Sequence, residues 1–252
     1  MKKRLLIATI ASLLCATSAQ SDTLLGLYIG GQVWVNQAEG SFGEGSTDQA
    51  TFDFKDENQG NYFIALEHPI PLIPNFRIAS TTLDTVGGTT IDGSFTIGGE
   101  TYDVNAQLDT VFDANFVDYT LYYELFDNDL LTFDLGFTVR EVEGNINVVE
   151  QSSLVSSSLS STGYLPLLYA NTIIGLPFTG FNVFAEANFL SYDDSSVYDY
   201  QIGVSYSVLD NLAVDLDVTL GYRSVKLELN DIDNLYSDIK FDGVFAGAIV
   251  HF

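Results

Sequence analysis

Val117-Asp118-Tyr119-Thr120-Leu121-Tyr122-Tyr123-Glu124-Leu125, followed after a short turn by Leu131-Thr132-Phe133-Asp134-Leu135-Gly136-Phe137-Thr138-Val139-Arg140, decides the fold of this chain. Side chains of an extended strand point alternately to its two faces. Val117, Tyr119, Leu121, Tyr123 and Leu125 therefore share one face, opposite Asp118, Thr120 and Glu124. In the second segment Leu131, Phe133, Leu135, Phe137 and Val139 oppose Thr132, Asp134, Gly136, Thr138 and Arg140. The intervening Phe126-Asp127-Asn128-Asp129 has turn chemistry, so the two read as antiparallel neighbours in one sheet.

The same alternation recurs along the chain. Leu25, Leu27, Ile29, Val33 and Val35 oppose Tyr28, Gly30, Gln32 and Asn36; a second segment covers 61–67 and a third starts near Phe76. Further segments lie at about 165–175 and 181–190. Then come Tyr198, Tyr200, Ile202, Val204, Tyr206 and Val208, and Leu212, Val214, Leu216, Val218, Leu220 and Tyr222. The last strand shows Val244, Ala246, Ala248, Val250 and Phe252 on one face. The count is ten segments, or eight if the second and third are shorter. Their second faces are rich in Gly, Thr, Ser and Asn, which suits a narrow lumen better than a water-facing surface. Tyr119, Tyr123, Tyr198 and Tyr222 at segment ends fit interfacial girdles.

Connections alternate in length. Short turns fall at 126–129, 176–180 and 209–211, with a Pro-containing one at 67–75; long loops are expected at 37–58, 84–112, 142–163 and 229–239, with a tight turn at 193–196. Short turns on one side, long loops on the other and both termini on the short side describe an all-β transmembrane antiparallel up-and-down barrel of about ten strands. A soluble β-sandwich is the competing architecture.

The N-terminus supports export. Met1-Lys2-Lys3-Arg4 precedes an apolar run from Leu5 to Ala16, then Thr17-Ser18-Ala19, which reads as a signal peptide over 1–19 and a barrel over 20–252. The run is too short for the roughly twenty residues of a spanning helix. Cys15, the single cysteine, has Leu14 where a lipoprotein signal would want a small residue, so the mature chain is expected to lack cysteine chemistry. Removing three of the nine Lys/Arg leaves six against 34 Asp/Glu, a charge of −28. So acidic a chain excludes nucleic acid as a partner, while 13% aromatic and 46% hydrophobic residues exclude disorder.

Several segments together resemble a bacterial family of outer-membrane β-barrel proteins without an established activity. They are Ala65-Leu66-Glu67-His68-Pro69-Ile70-Pro71-Leu72-Ile73-Pro74-Asn75, Leu121-Tyr122-Tyr123-Glu124, Leu135-Gly136, Leu176-Pro177-Phe178-Thr179-Gly180, Gly221-Tyr222-Arg223-Ser224 and the close from Phe241-Asp242-Gly243 to His251-Phe252. The resemblance implies fold and an outer-membrane location, and no catalytic residues. Phe252, a terminal aromatic on an alternating strand, resembles the signal read by the barrel-insertion machinery. Expected partners are that machinery, outer-membrane lipids and lipopolysaccharide, with the barrel a monomer.

Ten is also the strand number of the omptin surface proteases, which use Asp and His near the outer rim. Here His68 falls in a periplasmic turn and His251 beside the terminus, so neither supplies a base there. No catalytic residue, cofactor or metal is assigned. Asp53, Asp56 and Glu57, Asp193 and Asp194, and Asp231, Asp233 and Asp238 match no EF-hand spacing and read as solvated acidic loops. The serine-rich 152–161 reads as a surface loop.

Alternation points Arg77, Arg140 and Arg223 into the lumen with Glu67, Glu124, Asp134, Glu186, Asp215 and Asp217. Buried arginines need carboxylate partners, so this set is expected to be a lumen charge network that plugs the barrel. Three arginines cannot neutralise six acids, which is the case for the alternative, a narrow channel for small cationic or neutral solutes.

Overall fold

The structure is a computed structural model that describes residues 25–128, 130–211, 214–232 and 234–252, without the side chain of Ile232. The expected signal peptide with Cys15, and Asp129, Leu212 and Asp233, lie outside the described residues. The strands in chain order are β1 (Gly26–Glu44), β2 (Ala50–Phe54), β3 (Glu57–Glu67), β4 (Asn75–Thr81), β5 (Asp84–Thr90), β6 (Phe95–Ile97), β7 (Glu100–Tyr102), β8 (Gln107–Asn128), β9 (Leu131–Glu150), β10 (Ser156–Leu176), β11 (Phe181–Tyr192), β12 (Ser195–Leu209), β13 (Asp215–Ile232) and β14 (Leu235–His251).

A ring of ten strands closes in the order β1-β3-β4-β8-β9-β10-β11-β12-β13-β14, with β14 returning to β1 from Tyr28↔His251 to Glu44↔Leu235. Every neighbouring pair is antiparallel. At the outer end β2 and β5 take the places of β3 and β4 between β1 and β8. Residues 50–67 and 75–90 are thus each one wall strand with a break, and the ten-strand reading holds over eight.

The membrane belt is where alternation places it. Ile29, Val33, Val35, Ile64, Leu121, Phe137, Leu168, Ile202, Leu220 and Val244 stand exposed on the outside of the wall. In a closed barrel whose backbone groups are paired around the ring, such a band is suited to lipid. Exposed Tyr62, Tyr119, Tyr164, Tyr200 and Tyr222 mark its upper margin. There Tyr119 and Tyr164 donate to Glu141, and Tyr222 to Asp242.

The expected long loops are corrected. Most of 37–58, 84–112, 142–163 and 229–239 is strand, and Ser156–Ser161 of the serine-rich segment lies in β10. β8 alone has 22 residues. At ~3.3 Å per residue and a tilt of about 35–45° it rises on the order of 50 Å, about twice the ~25 Å apolar band of such barrels. The upper walls stand clear of the membrane, and their alternation is inverted. In β8, Val117, Tyr119 and Leu121 face out and Asp118 and Thr120 in, whereas above them Leu108, Phe112 and Phe116 are buried inside and Asp109 lies exposed outside. β13 and β14 invert likewise: Val225, Leu227, Ile239 and Phe241 are buried inside, with Lys226, Glu228, Asp238 and Lys240 on the outer face. Outside the belt the wall meets water, so the apolar residues turn inward.

Candidate functional site: a lumen filled in layers

The interior fills from the middle outward. Arg140, fully buried at the centre of β9, meets Asp118 on β8 through Nε at 2.7 Å and Nη2 at 2.8 Å, and reaches Asp199 on β12 at 2.7 Å. Arg223 on β13 grips the same carboxylate through Nε at 2.9 Å and Nη2 at 2.7 Å, and Nη2 also donates to Thr81 Oγ1 at 3.3 Å. Two guanidinium groups and two carboxylates form a neutral cluster across the lumen, the arrangement a buried charge requires. Arg140 lies 3.6 Å from the centre of the Phe116 ring and Arg223 5.2 Å from that of Trp34, so aromatic faces cover the cations.

A step nearer the turn end, Arg77 pairs with Glu186 at 3.3 Å and lies over Phe63. A Cβ at Gly30 would collide with the Phe63 ring, so glycine on β1 leaves room for the aromatic that supports Arg77. Neutral hydrogen bonds fill the rest of this zone: Thr120 to Thr138 at 2.8 Å, Thr138 to Asn188 at 2.7 Å, and Gln32 to Gln201 across the lumen at 3.2 Å.

Above the ions the lumen is apolar. Phe42 stacks on Phe52 at 4.6 Å, and Phe54, Phe95, Phe112 and Phe241 pack around them. Phe95 and Ile97 come from the β6–β7 hairpin, which folds from the 91–106 connection into the barrel mouth. Its position is anchored: Gly98 and Gly99 N–H donate to the Glu44 carboxylate, and Tyr102 Oη lies 2.9 Å from Ser157 Oγ. The positive φ of Gly98 and Gly99 is what this two-residue tip needs.

Of the nine candidates for the lumen network, Arg77, Arg140, Arg223 and Glu186 fall within the paired zone. The other five acids gather nearer the turn end. Glu67 accepts from Tyr122 at 2.7 Å, Asp134 from Asn171 at 2.8 Å, and Glu124 lies beside Glu67 and Asn75. Asp215 faces His251 at 3.5 Å, and Asp217 is half-buried two residues along β13. The acids that hold Arg140 and Arg223 are Asp118 and Asp199, both outside the candidate set. Alternation puts both on the polar faces. Asp118↔Arg140 is a direct cross-strand pair of the β8–β9 hairpin, so its register would have found the first. His68 sits in the turn after β3, where its Nδ1 accepts from Ile70 N–H, and His251 stacks on Tyr28; both are at the turn end. Phe252 pairs its backbone with Leu27. Among the described residues no cluster of three His, Cys, Asp or Glu side chains has metal-site geometry.

The solved structures that resemble this fold include outer-membrane proteins. The outer-membrane protease OmpT from Escherichia coli aligns with a TM-score of 0.57 at 11% identity, over 94% of this chain and 99% of its own. The transport unit of the autotransporter AIDA-I from Escherichia coli aligns at 0.41 and 9% identity over 96% of each chain. Neisserial surface protein A aligns at 0.33 and 13%, over 90% of this chain and 97% of its own. No protein-family model matches the chain, and no curated protein matches it. By fold, this chain is an antiparallel ten-stranded β-barrel of the outer-membrane type.

Proposed function

We propose that this chain is an integral outer-membrane barrel that neither conducts solutes nor catalyses a reaction, and that its role is structural or one of surface interaction. The observation that supports this is the filling of the lumen by side chains. The aromatic packing of Phe42, Phe52, Phe95, Phe112 and Phe241 lies above the buried ion cluster, so a solute would have to displace both. The acids at the turn end favour the narrow-channel alternative, but they open onto this double plug.

The non-catalytic part rests on the placement of His68 and His251 at the turn end, away from the outer rim where omptin proteases work. Outward carboxylates just above the belt, Glu39, Glu141, Glu143 and Asp242, face the height of lipopolysaccharide phosphates, where divalent cations bridge acids of both kinds. Lipopolysaccharide and lipid are therefore the surrounding partners, with assembly through the insertion machinery at Phe252 and a monomer in the membrane.

Planar-bilayer recording on the refolded barrel tests the proposal. The expected trace has no steady unitary steps at either polarity; a reproducible, salt-dependent single-channel current would overturn it.

A further inference from the structure

β10 has one paired edge and one that is open above the belt. It pairs with β9 in unbroken register from Ser156↔Val149 to Ile174↔Leu131. Pairing with β11 begins only at Leu168↔Phe189, because the β11–β12 hairpin turns back at 193–194. The wall is lower there, and the upper half of β10 borders a notch.

The ends of the β9–β10 ladder fix which groups face that notch. Gly175 N–H donates to Leu130 O, and Glu150 N–H to Val155 O. In an antiparallel ladder alternate residues bond to the same neighbour, so the odd-numbered residues of β10 serve β9. The even-numbered residues therefore aim their backbone N–H and C=O away from β9; beside Ser158 the tip of the β6–β7 hairpin approaches, where a Cβ at Gly98 would stand 2.8 Å from the Ser158 carbonyl oxygen, and below it Ser160, Thr162 and Tyr164 face the missing neighbour. Pro166 belongs to the same set, the place in a sheet where a missing N–H costs least.

Edges this long are ordinarily blunted by charges, bulges or early strand ends. Here the register has no bulge, and between Glu150 and Glu186 there is no Asp, Glu, Lys or Arg in a chain that holds 34 acidic residues. The carboxylates stand around the edge. Glu143 and Glu141 oppose Thr162 and Tyr164 across the ladder, Glu150 caps the upper end and Asp193 and Asp194 form the foot of the notch. Hydroxyls of Ser153 and Ser152 hold the Glu150 carboxyl below the usual range, so it stays charged.

A second copy in the same membrane does not fit. Two barrels related by rotation about the membrane normal both run β10 toward the membrane, whereas the dyad of an antiparallel pair is perpendicular to the sheet. We propose that the edge over 160–166 takes up an extended, lysine- or arginine-bearing segment of another protein as an added antiparallel strand. Neutral backbone would pair with the neutral edge, and the segment's cations would meet the surrounding carboxylates. This deepens the surface-interaction role proposed above and rests on it.

The full mature barrel in lipid nanodiscs is titrated with a ten-residue peptide of alternating lysine and valine. Its twin, N-methylated on alternate residues, and a glutamate–valine peptide serve as comparisons. The lysine–valine peptide is expected to saturate one site, and its N-methylated twin to bind at least ~10-fold more weakly because backbone pairing is lost. Thr162→Pro removes an edge N–H that bonds to nothing in the wall and should weaken binding similarly, while Thr162→Ala binds as the parent; heat-dependent gel mobility verifies that both fold. Amide exchange at Ser160, Thr162 and Tyr164 should slow on binding. No binding of the lysine–valine peptide, equal binding of the N-methylated twin, equal binding to Thr162→Pro or equal binding of the glutamate peptide would each overturn the proposal. Conductance of the same sample reports separately on the filled lumen, so the two failures are told apart.

Discussion

The lower and upper halves of β8 run through one continuous strand with opposite logic. From Val117 to Leu125 the outer face is apolar and the inner face carries Asp118, Thr120 and Glu124; from Leu108 to Phe116 the inner face holds Leu108, Phe112 and Phe116 and the outer face Asp109, Asp113 and Asn115. The backbone is the same extended ladder in both halves. What changes is the medium outside the wall: lipid below, water above. Where lipid solvates the outside, polar groups must be satisfied within; where water solvates it, apolar burial within becomes the driving term. The crossover is built from Trp34 and Phe116, whose rings lie over Arg223 and Arg140 and join the two regimes.

Substitutions in the two halves should separate these regimes, read as urea unfolding of the barrel folded in lipid vesicles. The largest effect is expected at Asp199→Ala, which strips a shared carboxylate from two buried arginines and should cost about 3–5 kcal/mol. A change under 1 kcal/mol would mean that the cluster is open to water. Phe112→Ala in the upper half should follow at about 3–4 kcal/mol from the cavity it leaves, with the membrane-facing half still resistant to protease. Introducing a charge outside the wall then distinguishes the halves directly. Leu121→Arg in the belt should cost about 2–3 kcal/mol, while Val111→Arg, also outward and exposed, should stay within about 0.5 kcal/mol. Equal costs at these two positions would place both in one medium and refute the inversion. Tyr102→Phe, which removes the hairpin's hydroxyl contact with Ser157, should cost about 1 kcal/mol and leave the lower half unaffected in hydrogen exchange.

What could be read in advance follows from this inversion. In the belt, odd-numbered residues of β8 and β9 are apolar without interruption, so both strands stand out. At Phe116-Val117 the apolar set shifts from even to odd positions, and two adjacent apolar residues interrupt the period. The regions beyond such a shift, 37–58, 84–112 and 142–163, have the polar content of loops, although Phe42, Phe52, Phe112, Ile146 and Val148 keep the period among themselves. The serine run before Leu165 has no apolar period, and its strand is held chiefly by the backbone ladder to β9, with Tyr102 against Ser157 and Leu159 against the core. For the lumen, the direction of the three arginines could be read from parity. Of their partners, Asp118 follows from the register of the β8–β9 hairpin, whereas Asp199 lies 59 residues from Arg140 in the chain and joins it only across the closed ring.

Alternation by itself determined an antiparallel barrel, its lipid-facing belt and the burial of Arg77, Arg140 and Arg223, because side-chain parity is a local property of an extended backbone. Only the tertiary structure decided that Asp199 is shared by Arg140 and Arg223, that an aromatic layer with an inserted hairpin fills the mouth, and that β10 keeps an open edge. Each of these depends on which strands meet across the lumen and how high each rises, and ring closure with its register, rather than neighbouring residues, sets both.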